Sequence, residues 1–149
     1  MSVEIDAIKT IAEYWKDNIN PPNENTLSGE QICIDYPDVD KMPKPVMVYL
    51  VPENGTNEFL TSQSVLETLT VTGYILAKYD SAHKTMQSLV EEVFEYYSNI
   101  VYLMVLDSTF GGEFIGCKIV SFDFYPAVSD LANSVGIEIK IEIKIERSI

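Results

Sequence analysis

The chain has little of the chemistry from which most active sites are built. Histidine occurs once, at His83, and cysteine twice, at Cys33 and Cys117. A lone histidine cannot make a metal site unaided, and the two cysteines are too far apart in sequence for a C-x-x-C motif. Both cysteines sit in apolar or alternating runs, where a free thiol behaves as a small hydrophobe. A Cys33–Cys117 disulfide is possible but not favoured. Basic residues are scarce: 10 Lys and Arg stand against 23 Asp and Glu, for a net charge of -13. That balance argues against binding a nucleic-acid backbone, and no basic stretch with interleaved aromatics is present. No apolar run approaches the roughly eighteen residues of a membrane span. The first residues, MSVEIDAIKTIAEYW, are acidic and amphipathic and lack the apolar core of a signal peptide, so the expected compartment is the cytoplasm.

Motifs are equally sparse. No serine stands in a nucleophile elbow. Gly111, Gly112 and Gly116 do not have the spacing of a dinucleotide or phosphate loop, and they follow Phe110 in what reads as a hairpin turn. Asp35, Asp38 and Asp40 are the densest carboxylate cluster, but Pro37 interrupts them and no glycine supplies the turn of a calcium loop, so they read as a solvated acidic loop. A Cys33–His83 nucleophile pair would need the two side chains to meet in the fold. The sequence therefore predicts no catalytic residue, no cofactor, no metal and no small-molecule substrate.

What is present is a foldable core. Of 149 residues, 46% are hydrophobic, which predicts a single α+β domain over residues 1–149. A chain of this size buries about 70% of its unfolded surface without metal or disulfide. Its strongest signal lies in residues 135–149, VGIEIKIEIKIERSI. Isoleucine at 137, 139, 141, 143 and 145 alternates with Glu138, Lys140, Glu142, Lys144 and Glu146. Period-two alternation means a strand with one apolar and one charged face, in a half-solvated, mostly antiparallel sheet.

The remaining elements follow from periodicity. Residues 3–18 form a helix with Ile8, Ile11, Ala12 and Trp15 in one stripe, ended by Asn20, Pro21 and Pro22. Residues 31–35 read as a short strand with Ile32 and Ile34 on one face and Cys33 on the other. Residues 46–51 form a buried strand between Pro45 and Pro52. Residues 52–64 (PENGTNEFLTSQS) read as a long polar loop, in which the glycosylation-like Asn54-Gly55-Thr56 is a turn. Residues 65–79 form a strand, with Val65, Leu69, Val71, Ile75, Ala77 and Tyr79 on one face and Thr68, Thr70, Thr72 and Tyr74 on the other. Gly73 marks a bulge or bend. A second helix, capped at Asp80 or Ser81, runs to about Asn99 through Met86, Leu89, Val90, Val93 and Tyr97. The β-branched start of residues 100–106 favours a buried strand, which would make a parallel crossover from residues 65–79. Residues 113–125 form a strand whose apolar phase shifts near Ile119, the mark of a bulge. The expected architecture is a twisted, mostly antiparallel sheet with two helices packed on one face, beneath the isoleucines.

The charged face of the last strand admits two readings. Charge keeps a long strand soluble and discourages unwanted edge pairing. Alternatively, the alternating signs of Glu138, Lys140, Glu142 and Lys144 place a registered contact at an edge where a neighbouring subunit meets it. The nine tyrosines and six phenylalanines serve mainly the core, and any excess suits a subunit interface.

The series of elements, with a short N-terminal helix, a strand pair around a long segment, a long strand leading into a capped helix (VTGYILAKYDSAHKTMQSLVEEVFEYY), a hairpin and a final alternating strand, resembles the tail terminator and minor capsid or tail-completion proteins of long-tailed bacteriophages and prophages. The resemblance covers residues 5–145 and is one of element order and strand style. It implies a non-enzymatic virion subunit that self-associates into a ring, often hexameric, at the head-proximal end of the tail. Such a ring stops tail-tube growth and offers the head-docking surface, with tail-tube and head-completion proteins as partners. It implies assembly in the cytoplasm and residence in the virion. By position, residues 52–64 would contact ring or tube. The alternative, from the acidity alone, is an adaptor or secretion-chaperone-like protein that masks a basic partner.

Overall fold

The computed structural model describes residues 3–18, 32–37, 46–78, 85–110, 112, 114–125 and 134–148. Along the chain these form α1 (Val3–Asn18), β1 (Ile32–Cys33), β2 (Val46–Thr61), β3 (Ser64–Lys78), α2 (Met86–Leu106), β4 (Gly116–Tyr125) and β5 (Ser134–Ser148). The strands make one five-stranded sheet in the order β1-β2-β3-β5-β4. Every pairing is antiparallel except that of β1 with β2.

The isoleucine strand is β5, and its alternation becomes register. It pairs with β3 without a break, from Ser64 opposite Ser148 to Lys78 opposite Ser134. Leu69 faces Ile143, Val71 faces Ile141, and Ile75 faces Ile137 on one side of the sheet. Thr68, Thr70 and Thr72 face Lys144, Glu142 and Lys140 on the other. Ile137, Ile139, Ile141 and Ile143 are all fully buried. Burying each contributes about 1.5–3 kcal/mol.

Both helices lie over that apolar side. Ile8, Ile11 and Trp15 of α1 and Leu89, Val93 and Ile100 of α2 share one core with the isoleucines. The Tyr14 hydroxyl of α1 donates to the Leu103 carbonyl of α2 at 3.2 Å. A smaller cluster of Met47, Tyr49 and Leu76, with Cys33 and Tyr74 against it, occupies the opposite face. The split of Ile32 and Cys33 between the two faces follows the alternation in the sequence.

α2 differs from its sequence reading at both ends. Its N-cap is Thr85, whose hydroxyl oxygen accepts the Ser88 N–H at 3.1 Å. The expected caps, Asp80 and Ser81, lie outside the described residues, as do Tyr79, His83, Asp38, Asp40 and the loop residues 20–30. At the other end the helix continues through residues 100–106, where a strand was expected. The buried series Leu89, Val93, Tyr96, Ile100 and Leu103 keeps helical spacing through the apolar run, so the stripe never breaks. There is accordingly no parallel crossover: β3 and β5 are antiparallel neighbours.

The turn after α2 leads from a helix to β4 and is not a hairpin. Phe110 adopts φ 51 there, in the left-handed region that costs a non-glycine residue about 1 kcal/mol. Its ring lies 4.8 Å from Tyr14 and 5.3 Å from Phe114, and that burial offsets the strain. In β4 the phase change near Ile119 is the expected bulge, with Ile119 opposite Ile141 and Ser121 opposite Lys140. The bulge returns Phe122 and Phe124 to the helix side, against Phe94 of α2.

One polar network fastens the core. Glu67 lies on the apolar face, 5% exposed. It accepts from Arg147 at 3.0 Å, and Arg147 also reaches Glu4 of α1 at 3.2 Å. This pair ties the start of α1 to the far end of the β3–β5 ladder.

Gly73 is not a bulge. The β3–β5 register runs straight through it, opposite Ile139. A Cβ at this position would stand 2.8 Å from Ile139 Cγ1, so glycine is required because the isoleucine lies over the bare backbone. Gly73→Ala should therefore destabilise the protein by about 1–3 kcal/mol through overpacking. Urea unfolding with an unchanged m-value checks this.

Candidate interaction surface

The residues expected at an interface lie in the middle of the sheet. β5 is flanked by β3 and β4, so Glu138, Lys140, Glu142 and Lys144 do not form an edge. The reason is topological: the last strand is inserted between two earlier ones. All four are half-buried on the face opposite the helices. Much of their charge is satisfied within the sheet. Lys140 Nζ lies 2.5 Å from Glu53, 3.1 Å from Glu138 and 2.9 Å from the Thr72 hydroxyl. Lys118 of β4 approaches Glu142 at 3.9 Å, and Glu146 accepts from Ser64 Oγ at 2.8 Å. Apart from Lys140–Glu138, which lies within β5, these are cross-strand pairs that brace the polar face.

The Lys140 contact explains how residues 52–64 are held. The expected loop is in fact the outer half of β2, a two-residue turn at Ser62 and Gln63, and the start of β3. Asn54-Gly55-Thr56 is strand, opposite Thr70, Leu69 and Thr68. A single β2 thus has two characters. Residues 46–51 are all buried, and residues 52–61 are all exposed. The polar composition of the outer half hid the strand, because β3 supplies its pairing and no core is needed beneath it. The available signal was the alternation of β3, which runs too far to end at a loop.

A bulge between Pro52 and Asn54 leaves Glu53 unpaired in the ladder. That shift aims its carboxylate across β3 at Lys140. Hydrogen bonds from Lys140 and then Thr72 hold the Glu53 carboxyl below the usual range. The bond to Glu53 is the largest cause that raises the Lys140 ammonium above its own. The hairpin arm is thereby bound at its root to the middle of the sheet. Beyond it, Phe59 is 74% exposed and Leu60 48%.

Other apolar side chains also face outward. Tyr102, Val105 and Leu106 form the exposed last turn of α2, while Val120 and Phe122 lie exposed on β4. Trp15, Tyr49, Tyr96, Phe110 and Phe114 are buried in the core, while Tyr36, Phe59, Tyr102 and Phe122 are exposed.

The nucleophile possibility loses its basis in Cys33. Its thiol is half-buried, contacts the Val48 carbonyl at 3.9 Å, and is pushed upward first by burial and then by Asp35. Burial pushes Cys117 up to about 12. Neither is an activated thiolate. Among the described residues no group of three or more His, Cys, Asp and Glu is placed to hold a metal ion.

No family model and no curated protein matches the chain. Among solved structures it is similar to the sheath/tube terminator of an extracellular contractile injection system, PVC, determined by cryo-electron microscopy in the extended state. The TM-score is 0.41 at 12% identity, over 99% of this chain; the chain spans only 58% of that terminator's length.

Two outcomes test this geometry. The Glu53 pKa is lowered, so its contribution to holding the arm is complete above the usual carboxylate range and lost as pH falls through the lowered value. The Lys140 pKa is raised, so its contribution is complete below the usual lysine range and lost as pH climbs through the raised value. Carbon-detected NMR titration should find Glu53 titrating low, and Lys140→Met should raise it toward the ordinary range. For the thiols, iodoacetamide at neutral pH should modify Cys33 slowly and Cys117 only after unfolding, as read by mass spectrometry.

Proposed function

We propose that the protein is a structural, ring-forming subunit of a phage or prophage tail, acting as a tail terminator or head–tail joining protein. It ends tail-tube growth and provides the surface on which the head docks, assembling in the cytoplasm and remaining in the virion. The observation that carries this reading is the hairpin arm. Its outer strand, residues 52–61, is exposed along its whole length, adds nothing to the core and is fastened at the root by Glu53 and Lys140, which suits contact with a neighbour. The order of elements, a helix before the sheet and a closing isoleucine strand, supports it as the resemblance implies. In a hexameric ring, Glu138, Lys140, Glu142 and Lys144 would lie on a subunit face rather than at a strand edge.

The test is to add the purified protein to polymerising tail-tube protein from the same virus or prophage. Tubes should become shorter and carry a ring at one end in negative-stain micrographs. Unchanged tube lengths with no bound ring would sink the proposal, all the more if the protein instead captured a basic partner in a salt-sensitive manner.

A further inference from the structure

The sheet has two outer sides, and among the described residues neither is closed along its length. On one side β1 pairs with β2 only at Val48 and Tyr49, so the arm from Pro52 onward presents a bare edge. On the other side β4 is the last strand, and Lys118, Val120, Ser121, Phe122 and Asp123 are exposed. Such edges carry rows of unpaired N–H and C=O groups, which proteins usually blunt with proline, lysine or bulges. β2 has bulges at Glu53 and Leu60. Between them residues 54–59 run in regular register, from Asn54 opposite Thr70 to Phe59 opposite Val65. That stretch contains neither proline nor lysine. β4 keeps regular register after its own bulge, from Ser121 to Tyr125. Each edge therefore keeps an open segment about as long as an ordinary strand.

Charge selects the occupant. At a net charge of -13, two copies repel one another over most of their surfaces. Among the described residues the two edges are sparsely charged. The only charges in residues 52–61 are Glu53, which is paired with Lys140, and Glu58. In β4 the single base Lys118 balances the single acid Asp123. Both edges also expose apolar side chains, Phe59 and Leu60 on one and Val120 and Phe122 on the other. A basic partner would be drawn to the acidic surfaces instead.

We infer that the occupant is a second copy of this chain: residues 54–59 of one copy pair, strand to strand, with the β4 edge of the next. The two edges differ, so the contact is head-to-tail and continues the sheet across the subunit boundary. Each added copy leaves one arm and one β4 edge free, and the series closes into a ring if the rotation permits. This contact rests on the self-associating part of the proposed function and not on its tail part.

The experiment uses the full chain in sedimentation velocity over a dilution series. Thr56→Lys with Phe59→Lys places charge on the arm, and Val120→Lys with Ser121→Lys places it on β4. All four positions are exposed, so circular dichroism and melting should match those of the unaltered chain. The unaltered chain should associate with rising concentration. Each double variant should raise the apparent Kd by roughly tenfold or more. An equimolar mixture of the two should give a heterodimer and nothing larger, because each supplies the edge that the other lacks. The inference is overturned if the unaltered chain stays monomeric, if the variants associate as tightly as it does, or if the mixture fails to pair. Rings on tail tubes that both variants still form would overturn the edge contact and leave the tail role standing; head-to-tail pairing without tube binding would do the reverse.

Discussion

The pairing of β3 with β5 is the contact on which the other elements rest. It joins the two halves of the sheet, since β1 and β2 lie beyond β3, and β4 lies beyond β5. It also builds the floor on which both helices pack, because Leu69, Val71 and Ile75 alternate in step with the isoleucines opposite. A slip of one residue would turn that whole row to solvent and bring Glu138, Lys140 and Glu142 beneath the helices. The hydrophobic pattern alone forbids a one-residue shift but says less about a shift of two. A single feature resolves that degeneracy. Gly136, the one glycine of β5, lies beneath the Leu76 side chain with no room for a Cβ, and a shift of two would put Ser134 or Glu138 there instead.

The outer half of β2 shows a different balance of forces. It has no core to bury and is held by its ladder to β3 and by the bond from Glu53 to Lys140. An exposed salt bridge is usually worth little. This one has a partly sheltered lysine with a second carboxylate and a fully buried hydroxyl beside it, so its geometry is fixed by more than one contact. Lys140, in the charged row of β5, thus braces the exposed outer half of β2 from the centre of the sheet.

How much of this was legible follows from what each segment buries. β5, β3 and the stripes of both helices were readable because each buries one face and burial writes a period into the sequence; the inner half of β2, buried on both faces, was readable as an unbroken apolar run between prolines. The bulge in β4 was readable for the same reason, as a change of phase at Ile119. The outer half of β2 was not, because a strand exposed on both faces carries no alternation and looks like a loop. Residues 100–106 misled in the opposite way: an apolar run with β-branched residues hides helical spacing, although Ile100, Leu103 and Met104 continue the stripe. Glu138, Lys140, Glu142 and Lys144 were correctly read as one face. Their place in the middle of the sheet depends on strand order, which no local pattern encodes.

That strand order has a consequence in time. β5 follows every other described element in the chain, yet it lies between β3 and β4. As the chain emerges from the ribosome, β3 and β4 can each form their local contacts but remain two separate fragments. Neither has a completed floor beneath its helix until the isoleucines arrive. The slow, non-local step of folding is therefore deferred to the final strand, which has to enter a gap and not merely add to a side. An incomplete chain cannot offer both outer edges on one continuous sheet, so a partly made copy is unable to propagate an assembly that requires both.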